Sequence, residues 1–110
     1  MNWSVTLTTS AKQDVRSIVG WIQQRSPPGA ESWYRRWLEV LDRLSQSGDS
    51  LGVAPENEDH EETIRQVIFK TRRGLPYRAI FIVRDNDLFV LRVRGPGQDR
   101  VSIDDLPLPH

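Results

Sequence analysis

Ile64-Arg65-Gln66-Val67-Ile68-Phe69-Lys70, Tyr77-Arg78-Ala79-Ile80-Phe81-Ile82-Val83-Arg84 and Leu88-Phe89-Val90-Leu91-Arg92-Val93-Arg94 decide the fold. Each run is rich in β-branched and aromatic residues, the composition of strands. Arg72-Arg73-Gly74-Leu75-Pro76 separates the first from the second. Asp85-Asn86-Asp87 separates the second from the third with residues that tolerate positive φ. Gly95-Pro96-Gly97 stops the third. Three strands joined by short turns predict an antiparallel meander.

Upstream the period changes. Val5 and Leu7 alternate with Thr6 and Thr8 after Trp3, so a short strand is expected over Trp3–Thr8. Ser10-Ala11-Lys12-Gln13 has the form of a capping box, and Ala11, Val15, Ile18, Val19 and Ile22 follow at helical spacing. A first helix is expected over Ala11–Gln24. Ser26-Pro27-Pro28-Gly29 breaks it, and Pro suits the first turn of a second helix over Pro28–Ser47. The stripe of that helix is read as Ala30, Tyr34, Trp37, Leu38, Leu41 and Leu44. Two amphipathic helices so close in sequence form an antiparallel hairpin. From Gly48 to Thr63 periodicity stops, and Glu56-Asn57-Glu58-Asp59-His60-Glu61-Glu62 reads as a solvated acidic loop. The expected fold is α+β: an N-terminal strand, a helical hairpin, then a three-stranded meander, in one domain over residues 1–110.

Composition excludes several chemistries. With no Cys there is no disulfide, thiolate nucleophile or Cys-based zinc site, which suits a reducing cytoplasm. No apolar run approaches the roughly 18–20 residues of a membrane span, and no signal peptide is evident, so no membrane partner is expected. Four Trp supply large apolar surfaces, each roughly 150–250 Å², so a core needs no covalent staple. The two His, His60 and His110, lie in the acidic loop and at the C-terminus, without a Ser partner in a structured element. Asp14 and Asp42 read as helix-surface residues. Gly95-Pro96-Gly97 lacks the following Lys and helix of a phosphate loop. No cofactor, no metal and no small-molecule substrate are expected.

The zero net charge hides an uneven distribution. Arg65, Lys70, Arg72, Arg73, Arg78, Arg84, Arg92, Arg94 and Arg100 stand against only Asp85, Asp87 and Asp99 over the same stretch. Such a basic half is the footprint of an anionic partner or of a solvated sheet face beside an acidic loop. Strand alternation puts Tyr77, Ala79, Phe81 and Val83 on one face and Arg78, Ile80, Ile82 and Arg84 on the other. In the last strand it puts Phe89, Leu91 and Val93 on one face and Leu88, Val90, Arg92 and Arg94 on the other. The fully apolar faces are expected under the helices. Arg78 and Arg92 are then expected to project from one open, cationic face able to bind phosphates, carboxylates or an acidic peptide.

Leu75-Pro76-Tyr77-Arg78-Ala79-Ile80-Phe81-Ile82-Val83 with Asp87-Leu88-Phe89-Val90-Leu91-Arg92-Val93-Arg94 resembles the C-terminal half of the ParE/RelE toxin superfamily. Trp3-Ser4-Val5, Ser10-Ala11-Lys12-Gln13-Asp14-Val15, Ile18–Trp21-Ile22, Ser26-Pro27, Ala30–Trp33 and Ala54-Pro55-Glu56 resemble its remaining landmarks, so the likeness spans nearly the whole chain. It implies a microbial-RNase-like fold and a cytoplasmic toxin whose cognate antitoxin folds onto a basic, partly apolar surface. RelE-like members cut messenger RNA on the ribosome. For them the resemblance implies catalytic roles for Arg78 and Arg92, with Asp99 or Lys70 moving the proton; their C-terminal Tyr has no counterpart. ParE-like members inhibit DNA gyrase. Their His-Gly-Arg-Arg-Asp-like ending is matched here only at Gly95 and Asp99. Antitoxin or target binding is implied for Arg65, Lys70, Arg72, Arg73, Arg84, Arg94 and Arg100. The readings are a gyrase-type inhibitor, a metal-independent ribonuclease, and a module that only pairs with its antitoxin.

Overall fold

In the computed structural model the described residues are 2–59, 62–96, 98 and 106–109, without the side chains of 58 and 59. The chain runs β1 (Ser4–Leu7), α1 (Thr9–Arg25), α2 (Pro27–Ser47), β2 (Arg65–Phe69), β3 (Tyr77–Arg84) and β4 (Asp87–Arg94). Short 3-10 turns at Gly48–Ser50 and Pro55–Asp59 lie between α2 and β2. The sheet order is β1-β4-β3-β2, with the meander antiparallel and β1 parallel to β4 at one edge. The helical hairpin is the crossover that a parallel pair requires. The expected α+β architecture is the observed one.

Local chemistry sets the boundaries. Thr8, not Ser10, caps α1: its Oγ1 accepts from the Ala11 N–H at 3.1 Å. The Ser26 hydroxyl accepts from the Gly29 N–H at 3.1 Å, and Pro27 occupies the first helical turn of α2. The buried face of α2 is Ala30, Trp33, Trp37, Val40 and Leu44. It is rotated from the expected stripe, so that Tyr34 and Leu38 are exposed. Asp85 turns β3 into β4 at φ 52°, a conformation Asp accepts.

Two apolar layers flank the sheet. Beneath the helices, Ala11, Val15, Trp33, Trp37, Val40 and Leu44 pack on Val67, Phe69, Ala79, Phe81, Leu88, Val90 and Val93. On the opposite face, Ile80, Ile82 and Leu91 pack with Ala54, Ile64 and Leu106. That face is therefore not open, contrary to the expectation. The segment after α2 and the C-terminal residues cover it.

The face assignment within β4 also needs correction. Ile80 pairs with Arg92 and Phe81 with Val90, which leaves Leu91 as an extra residue. This β-bulge shifts the alternation by one. Leu88 and Val90 consequently face the helices, while Phe89 and Leu91 face away.

Candidate functional site

The basic residues sort into two groups. In the first, the chain's own carboxylates and carbonyls hold the guanidiniums. Arg78 stands on β3, opposite Arg94 in the pairing. Its Nη1 and Nη2 donate to Glu56 Oε1 and Oε2 at 2.8 and 2.6 Å, and Nη1 also reaches Gln66 Oε1 at 3.3 Å. The Glu56 carboxylate has no solvent exposure, and the Arg78 side chain retains 17%. A fork of this geometry is among the strongest charge-assisted contacts available to a protein.

Arg84 repeats the pattern. It donates through Nε to Glu62 Oε2 at 2.9 Å and through Nη2 to Glu62 Oε1, and Nη1 reaches the Pro109 carbonyl at 2.5 Å. Donating to the Glu62 carboxylate raises the guanidinium pKa, partly opposed by desolvation. The acidic loop is thus not simply solvated. Glu56 and Glu62 are the anions over the second face, and Arg84 ties the C-terminal segment to that cover.

Arg92 pairs with α1. Its Nε and Nη2 donate to Asp14 Oδ2 and Oδ1 at 2.7 and 3.0 Å. Asp14 Oδ2 also accepts from the Val93 N–H at 2.9 Å, satisfying an amide of β4 beyond the reach of β1. Asp14 is therefore a bridging residue and not a helix-surface one. Arg65 donates to the Leu51 carbonyl at 2.6 Å. The Arg94 side chain is partly buried. A free row of Arg78 and Arg92 on an open face does not exist: Arg78 is bound under the cover, and Arg92 at the α1 junction.

The second group lies at the β2–β3 turn, where Lys70, Arg72 and Arg73 are exposed. The Lys70 carbonyl accepts from Arg36 Nε at 3.3 Å, fixing the turn against α2. Asp99, Arg100 and both His lie outside the described residues. Among the described residues no cluster of His, Asp or Glu is suited to a metal ion, and no helix is long and apolar enough to cross a membrane.

Glu56, Glu62 and Asp14 are the residues that sequence reasoning missed as site partners. Asp14 carried a weak signal, because an acidic residue beside Val15, on the edge of an apolar stripe, can face a strand. Glu56 carried none beyond its place beside Ala54 and Pro55.

The architecture and the self-bound cations define a small α+β domain with a covered sheet face and an exposed basic turn. The chain belongs to the ParE toxin family of type II toxin–antitoxin systems: the family model for the ParE toxin of the parDE system matches residues 5–100. Its fold is similar to a solved chain described as the chromosomal ParDE TA system from P. aeruginosa, with a TM-score of 0.64 at 20% identity over 84% of this chain and 94% of that one. Comparison with curated proteins finds no match.

Proposed function

We propose that this chain is a growth-arresting toxin, neutralised by a cognate antitoxin, and that it acts by binding and blocking a protein target such as DNA gyrase. The observation that carries this reading is the double capture of Arg78 by Glu56 and of Arg92 by Asp14. Cleavage of RNA without a metal needs cations free to meet developing phosphorane charge and a group poised to move a proton. Here the two guanidiniums best placed for that work are already neutralised from within the fold. Blocking a protein needs surface instead, and Lys70, Arg72 and Arg73 offer it.

Inducing the chain without its neighbouring small gene tests this. The expected result is growth arrest with DNA-damage signalling and intact messages, relieved by co-expression of the neighbour. Messenger RNA cut at the onset of arrest would favour the ribonuclease reading. Unaffected growth would favour a module that only pairs.

A further inference from the structure

Helix α2 carries more apolar surface than one sheet face can take. Its inner face, with Trp33, Trp37, Val40 and Leu44, is buried on the strands. Tyr34 and Leu38 stand outside that face, 47% and 48% exposed, and Leu41 beside them is half-buried. Spaced at i, i+4 and i+7, the three form a second stripe along the outside of the helix. Next to Tyr34, a cleft of about 420 Å³ lined by Val19, Ala30 and Pro27 continues the stripe between α1 and α2. Isolated exposed apolar side chains are ordinary, but a stripe of them on a solvated helix marks a contact surface.

The charges beside the stripe select its occupant. Glu31, Arg35, Glu39, Asp42 and Arg43 are exposed and nearly balanced in sign, which favours a surface like itself over a strongly charged partner. At about 3.6 residues per turn, Arg35 and Asp42 lie on one flank of Leu38, and Tyr34 and Leu41 on the other. Two copies of α2 laid antiparallel across a two-fold axis at Leu38 bring like flanks together and exchange positions equally spaced on either side of it. Leu38 then meets its own copy. Tyr34 falls beside Leu41 of the second copy, and Arg35 beside Asp42 of the second copy. A parallel pairing would turn each charged flank onto the other copy's apolar flank, and the match would be lost. Within one chain Arg35 donates to Glu31 at 3.0 Å and Gln46 to Asp42 at 3.0 Å, exposed contacts of little worth. Antiparallel pairing exchanges them for Arg35–Asp42 and Gln46–Glu31 contacts between copies, so no polar group is stranded.

We infer that two copies of this chain pair through the outer faces of α2, antiparallel about Leu38. Arg36, on another flank of α2, holds the β2–β3 turn through the Lys70 carbonyl, so the pair carries the basic turn uncovered and in duplicate. One helix face buries less than the roughly 800 Å² per partner of a standard interface, so the pair is weak, with a Kd on the order of 10 μM.

Sedimentation equilibrium of the full chain, loaded from about 1 to about 300 μM, reads the pairing. The wild type should dimerise. Leu38→Glu should stay monomeric throughout, with unchanged circular dichroism because the side chain is exposed. Arg35→Asp and Asp42→Arg should each weaken the dimer about tenfold, and combining them should restore it, since the reversed charges meet again across the axis. Because the chain has no Cys, Leu38→Cys should also form a disulfide between copies on oxidation, and Val53→Cys, exposed elsewhere, should not. A wild type monomeric at every concentration would overturn the inference, as would a dimer indifferent to Leu38→Glu. A double reversal that does not restore pairing would overturn the antiparallel arrangement. If the isolated chain is monomeric and Leu38→Glu abolishes a complex with the neighbouring gene's product, the face belongs to that product and the inference fails. None of these outcomes bears on growth arrest, so the toxin reading stands or falls separately.

Discussion

At Glu56 a carboxylate lies wholly inside the protein, and its charge is met by both outer nitrogens of Arg78. Desolvating two ions offsets much of their attraction, so the pair contributes little net stability over an apolar equivalent. Removing one partner is different, because a buried charge then stands without its counter-ion. Glu56→Ala should therefore destabilise the fold by about 3 kcal/mol, read as a lower urea midpoint. Glu31→Ala, which removes an exposed i,i+4 partner of Arg35, should change it by less than about 0.5 kcal/mol. Tyr77 offers a titration at the same scale. Burial raises its pKa above 10.0, since the phenolate is the form that desolvation disfavours. The unfolded chain then releases this proton first as pH rises. The stability contribution is complete below about pH 10 and is lost as pH climbs through the folded-state value. Urea titrations on either side of pH 10 should show a loss in the wild type that Tyr77→Phe reduces. Neither residue's environment was readable from sequence. Glu56 sits in an acidic run whose composition signals solvent, and only the tertiary position of Arg78 draws it inward.

Among the elements, the strands, helices and connections were legible because each carries its own period and punctuation. Tyr77–Arg84 alternates, Ser26-Pro27 interrupts, and Asp85-Asn86 turns, each for a local physical reason. What local pattern could not convey was the bulge at Leu91. The uninterrupted apolar run Leu88-Phe89-Val90-Leu91 gives alternation nothing to contrast where the bulge falls, so a one-residue slip leaves no trace in the sequence. The same blindness hid the cover of the second face, whose apolar contacts come from Ala54, Ile64 and Leu106, far apart in the chain. The bulge lies beside the junction with α1, where Asp14 accepts from Arg92 and from the Val93 N–H. Asp14→Ala removes the acceptor of that strand amide, at about 2 kcal/mol, against a helix-propensity gain of about 0.5 kcal/mol. The net loss should be about 1.5 kcal/mol by denaturant titration, with faster amide exchange at Val93 than at the other β4 amides. Exchange that speeds up uniformly along β4 would mean that Asp14 supports the whole sheet and not the junction.

For the molecule as a whole, the question is whether Arg78 acts through chemistry or through structure. Arg78→Ala alone cannot answer it, because it strands the Glu56 carboxylate in the interior and lowers the amount of folded toxin as well as any activity. Replacing both members answers it. Glu56→Leu with Arg78→Met exchanges the ion pair for apolar side chains, a change that buried pairs tolerate with little loss or even a gain of stability. The neighbours suit the exchange, since Ala54, Ile64, Ile80 and Ile82 already line that face. If growth arrest comes from blocking a protein through surfaces away from the cover, the double variant should arrest growth as the wild type does at equal soluble abundance. A folded double variant that no longer arrests growth would place Arg78 in the toxic chemistry itself, with Glu56 as the group that holds it in check until a substrate phosphate displaces it. Circular dichroism and a urea midpoint near that of the wild type make the comparison decisive, since they separate loss of activity from loss of fold.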